Sequence, residues 1–148
     1  MYLEILVRYV HFVSVFTIVA TLFAEWVLLK KEMRPSEIAR LGLIDAVYGL
    51  SAITLLGAGF TLWFVVGKPA AFYSFNWIFW LKLGLFTLIG LLSIYPTVFF
   101  LKNGKKNLPD TPIAVPRLVH QMVVAELLIL LLLPLLASLM ARGIGSFS

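Results

Sequence analysis

Four apolar runs, each long enough to cross a lipid bilayer as a helix, constrain this chain more than any other feature. They occupy about residues 3–29, 43–66, 75–101 and 118–140. A hydrocarbon core of ~30 Å needs about 20 mainly apolar residues in a helix. The runs lack the two-residue alternation of membrane strands and are too long to be strands, so a β-barrel is excluded. The chain is 61% hydrophobic and 13% charged, whereas a soluble domain is roughly half apolar and a quarter charged. The first run is too long for the apolar part of a signal peptide, and we expect a retained helix. The expected fold is all-α: a single transmembrane domain built as a four-helix bundle.

Charge placement sets an expected orientation. Lys30, Lys31, Arg34 and Arg40 follow the first run, and Lys102, Lys105, Lys106 and Arg117 follow the third. The middle loop carries only Lys68 and the C-terminal tail only Arg142. Basic loops stay on the cytoplasmic side, so both termini are expected outside, in the periplasm of a bacterium, with the protein in the inner membrane. Phe72, Tyr73, Phe75, Trp77 and Trp80 then form an aromatic belt at the outer interface. The net charge of +5 is explained by these loops, and no nucleic-acid partner is expected. Pro35 suits the opening of a short helix ahead of the second run. The segment 103–116, with Pro109, Pro112 and Pro116, is expected to be extended. Gly49, Gly57, Gly59, Gly84 and Gly90 are expected to permit close helix contacts.

The chain has no cysteine. Disulfides, thiolate metal sites, iron–sulfur clusters and covalent haem attachment are therefore excluded. There is also no glycine-rich phosphate loop, nucleophile elbow or zinc-protease helix motif.

The informative residues are the polar ones inside the apolar runs. An ionisable side chain at mid-membrane costs roughly 2.5–3.5 kcal/mol and usually faces the bundle interior. In the first run, Glu4, Arg8, His11, Ser14, Thr21 and Glu25 recur at three, four or seven residues, which places them on one helix face. A rise of about 1.5 Å per residue then sorts such residues by depth. Glu25, Asp45, Tyr48, Thr97 and His120 fall in an inner layer. Arg8, His11 and Lys82 fall in an outer layer, with Trp63 at a similar height. Glu126 lies nearer the middle.

Three chemistries fit these layers. Glu25, Asp45 and His120 offer two carboxylates and an imidazole, a ligand set known for iron or zinc. His11 offers one haem ligand, with Arg8 and Lys82 placed to pair with propionates. A bis-histidine haem is excluded, because His11 and His120 sit in opposite leaflets, roughly 20 Å or more apart. The carboxylates, histidines and lysine are also the usual parts of a proton or ion path. Four helices are few for a transporter, which points to a homo-oligomer or a membrane-protein partner. A non-catalytic accessory subunit, whose polar residues only fix helix register, is a further reading.

The stretches Tyr9-Val-His-Phe12, Asp45-x-x-Tyr48-Gly49, Phe79-Trp-Leu-Lys-Leu83 and Ser93-Ile-Tyr-Pro-Thr97, with Glu25, resemble a family of small bacterial membrane proteins of unknown function. The resemblance covers about the first hundred residues and implies the fold more than the chemistry. His11 and Lys82-Leu83 also resemble positions in HemJ-type protoporphyrinogen oxidases and CopD-type membrane domains. The HemJ resemblance implies haem b at His11 with Lys82 nearby. The chain departs from that pattern at Tyr95-Pro96, where such proteins tend to carry Tyr-His.

Overall fold

The computed structural model describes residues 2–145. Helix α1 spans Tyr2–Leu28, and α2 spans Pro35–Thr61 and continues as a π-helical turn over Leu62–Val66. A short helix, α3, covers Ala70–Ser74, followed by α4 over Trp77–Asn103 and α5 over Arg117–Ala141. Four of these are long and apolar enough to cross a membrane. In lipid, every backbone N–H and C=O must be satisfied within its own segment, and a helix does this.

The four long helices form a ring in which α1 packs on α2, α2 on α4, α4 on α5 and α5 back on α1. Large apolar side chains cover the outside, among them Phe16, Leu43, Ile53 and Leu131. In water this surface would be prohibitive, so the bundle contacts lipid. Two apolar layers fill the inside. One is built from Ile18, Leu22, Tyr48, Ile89, Val123 and Leu130. The other, from Met33, Ile38, Leu41, Phe100 and Val119, lies beneath the basic loops. We call this the basic end and the opposite one the terminal end.

The structure changes two expectations at the basic end. The helix expected to open at Pro35 is continuous with the second apolar run as α2, because Ile38 and Leu41 already face the core and nothing breaks the helix between them and the apolar run. Its start is secured by the Glu37 carboxylate, which accepts from Arg34 N at 3.1 Å as a capping residue does. The segment 103–116 is only partly extended, and it is not free. Its strand β2 (Ile113–Ala114) pairs antiparallel with β1 (Glu32–Met33), setting Glu32 opposite Ala114. Ser36 Oγ donates to Asp110 Oδ1 at 3.0 Å beside this ladder. The two basic loops are thus clasped to each other.

The glycines change as well. A Cβ at Gly49, Gly57, Gly59, Gly84 or Gly90 would meet nothing within 4 Å, so none of the five marks a close approach within the chain. Gly104 does. A Cβ there would lie 2.8 Å from the Phe100 carbonyl oxygen and 2.9 Å from Ala39 Cα. Both are backbone atoms that cannot step aside singly. Gly104→Ala is expected to cost about 1–3 kcal/mol, the usual range for overpacking. The check is the thermal unfolding midpoint in mild detergent, which an ordinary van der Waals contact would leave unmoved.

At the terminal end, Asn76 closes the bundle. Its Oδ1 accepts from Ile78 N at 2.9 Å, capping α4, while its Nδ2 donates to the Ile144 carbonyl at 3.1 Å. Trp77 N donates to the Gly145 carbonyl at 3.1 Å. Gly145 makes this approach with φ of 85°, a conformation natural only to glycine.

Candidate functional site

Two polar sites lie inside the bundle, with the apolar side chains of Ile18, Leu22, Ile89 and Leu130 packed between them. The first is a carboxyl cluster toward the basic end. The inward face of α1 carries Ser14, Ile18, Leu22 and Glu25 at four-, four- and three-residue steps, so Glu25 reaches the interior by helical period alone. On α2, Asp45 and Tyr48 are buried one turn apart. From α4, Thr97 Oγ1 donates to Asp45 Oδ2 at 2.6 Å. From α5, Glu126 Oε1 accepts from the Tyr48 hydroxyl at 3.0 Å. The Glu25 carboxyl lies within hydrogen-bonding reach of Asp45.

All three carboxyls are shielded from solvent: Glu25 and Glu126 are 1% exposed and Asp45 is 6% exposed. Among the described residues the ion pairs are Arg8–Glu4 and Lys30–Glu37, so none of the three meets a cation. Glu25 Oε1 is buried with no hydrogen-bond donor.

The second site is a cavity of about 420 Å³ toward the terminal end. His11 on α1 and Lys82 on α4 both line it. The rest of the wall is almost wholly apolar, including Phe12, Ile18, Phe60, Phe79, Phe86 and Leu133. Trp63 also lines it. It sits in the π-helical turn that ends α2, and such turns recur at functional sites. The Trp63 indole N–H donates to Ser74 Oγ at 3.1 Å. Its ring meets Phe79 edge-on, with centroids 4.6 Å apart. Lys82 thus lines an apolar cavity with no carboxylate bonded to it among the described residues.

These positions can be set against the two expected layers. Glu25, Asp45, Tyr48 and Thr97 come together as the inner layer required. Glu126, read from its Cα height as nearer the middle, joins them because the Tyr48 side chain spans the difference in depth. His120 does not join. It is exposed at the start of α5, where Val119 and Val123 take the inward face, so the set Glu25, Asp45 and His120 is not assembled. Among the described residues no group of three or more histidine, aspartate or glutamate side chains is placed to hold a metal ion. In the outer layer His11 and Lys82 share the cavity. Arg8 does not line it. Its guanidinium pairs instead with Glu4, one turn away, at 3.0 Å. Asn76 was missed, although an asparagine just before an apolar run is an N-cap signal.

A family model described as "Predicted membrane protein (DUF2214)" matches residues 3–145, nearly the whole chain. No curated protein and no solved structure matches it.

Proposed function

The chain belongs to that family of predicted membrane proteins, and from this premise we propose that it binds an amphipathic ligand with a broad apolar body and an acidic group. A porphyrin is the ligand class that best fits. The observation that carries the reading is the exposure of Lys82 and His11 to one apolar cavity of about 420 Å³. A cation held in such surroundings without a partner is expensive, and the acid group of a bound ligand supplies the missing partner. The aromatic rings of Trp63, Phe60 and Phe79 suit a flat macrocycle. With the basic loops in the cytoplasm, the cavity belongs to the periplasmic leaflet of the inner membrane, where an apolar ligand arrives through lipid.

The residues present also fit an iron porphyrin. His11 would supply one axial nitrogen and Lys82 a partner for a propionate, and bound iron would bring one-electron chemistry to the cavity.

The test is a titration of the protein in lipid nanodiscs with a dicarboxylic porphyrin, followed by quenching of tryptophan fluorescence. Lys82→Met is expected to weaken binding about 10- to 100-fold, since a hydrogen bond to a charged group contributes roughly 1.5–3 kcal/mol. Equal affinity for the wild type and Lys82→Met, or no saturable quenching in either, would refute the proposal. A Soret band in protein purified in mild detergent, lost in His11→Ala, would identify the iron-bound form.

A further inference from the structure

The carboxyl cluster near the basic end takes no part in that binding site. We propose that Glu25, Asp45 and Glu126 form an occluded proton-binding site, with one proton bridging the Glu25 and Asp45 carboxyls. Ionised carboxylates accept hydrogen bonds and cannot donate them. Thr97 donates to Asp45 and Tyr48 donates to Glu126. Glu25 receives nothing at Oε1, although its side chain is 1% exposed and turned toward Asp45. Two carboxyls in mutual reach inside a bundle hydrogen-bond to each other only if a proton lies between them.

Charge requires the same. Every helix of the ring contributes to the cluster: Glu25 from α1, Asp45 and Tyr48 from α2, Thr97 from α4 and Glu126 from α5. Among the described residues no lysine, arginine or histidine pairs with any of the three acids. Each buried ion costs several kcal/mol after relaxation, and three like charges would add their mutual repulsion. Positive charge must enter, as protons or as a metal ion. The spacing of the acids does not suit a metal ion, which leaves protons.

The site is closed on both sides. Met33, Ile38, Leu41, Phe100 and Val119 lie between it and the basic loops. Toward the cavity, Leu22 of α1 and Ile89 of α4 pack with Ile18 and Leu130, which line that cavity. Protons are therefore held here rather than conducted through, and exchange requires one of the apolar layers to open.

Infrared spectroscopy of the protein in nanodiscs at neutral pH tests this. The wild type should show the carbonyl stretch of a protonated carboxyl, with slow exchange into D2O. Glu4, Glu32, Glu37 and Asp110 lie outside the cluster. The band should be lost or strongly reduced in Glu25→Gln and altered in Glu126→Gln. The second variant serves if the first does not fold. Absence of the band in the wild type would overturn the proposal. So would a stoichiometric bound metal found by elemental analysis.

Discussion

Gly59→Phe is expected to abolish porphyrin binding while leaving the fold intact or more stable. Gly59 lines the cavity beside His11 and Trp63, and a Cβ there would meet nothing within 4 Å. The space in front of this glycine is the cavity itself. A phenyl ring would fill part of it at no cost to the neighbouring backbone. A glycine inside a helix costs roughly 0.5–1 kcal/mol relative to alanine, so the substitution removes a local penalty. Binding should fall by more than the 10- to 100-fold expected of Lys82→Met, about 1.5–3 kcal/mol, because sterics exclude the ligand rather than weaken one contact. The measurement is the porphyrin titration, with the unfolding midpoint recorded on the same sample. Retained binding would mean that the ligand sits elsewhere. Loss of both binding and stability would show that the space is not open to a side chain.

Phe100→Ala is expected to produce the largest loss of stability, about 3–5 kcal/mol, the usual cost of deleting a buried phenyl ring. Phe100 is 2% exposed and packs among Met33, Ile38, Leu41 and Val119. It lies under the clasped loops, near the water boundary, so a loosened bundle would wet the phenyl group. Leu22, 0% exposed in the other apolar layer, differs in its reference state. Lipid is as apolar as leucine, so a helix released within the membrane keeps Leu22 in hydrocarbon. Only the lost packing and the residual cavity then count. Leu22→Ala should therefore cost less than Phe100→Ala in denaturing-detergent titrations. The reverse order would contradict this account of how the bundle is held together.

Run length and helical period made much of this structure legible. Four apolar runs gave four spans, because backbone satisfaction in lipid leaves few alternatives. The three- and four-residue spacing on α1 put His11 and Glu25 on the inward face. A constant rise per residue then put Asp45, Tyr48 and Thr97 level with Glu25.

Each of the other placements failed for its own physical reason. Helix α5 is leucine-rich on every side, so its sequence gives no inward face, and His120 fell to the outside while Val119 and Val123 turned in. Cα height alone did not show that Glu126 joins the inner cluster, because a tyrosine side chain is long enough to join two depths. Arg8 was read as a propionate partner beside His11, although Glu4 stood one turn away to take it. The glycine pattern suggested helix contacts, yet Gly59 faces a cavity. No local signal separates a glycine that admits a helix from one that leaves room for a ligand. The loop clasp depends on pairing between residues far apart in the chain, which neither loop announces alone.

In the proposed binding mode Lys82 meets the acid group of a bound ligand inside the terminal-end cavity. The most direct measurement is affinity labelling in nanodiscs with a porphyrin whose carboxyls are activated for attack by amines, followed by mass mapping of the modified lysine. This account predicts modification at Lys82, suppressed by excess unmodified porphyrin and absent in Gly59→Phe. Labelling confined to Lys30, Lys31, Lys102, Lys105 and Lys106 in the basic loops, with Lys82 untouched, would contradict it.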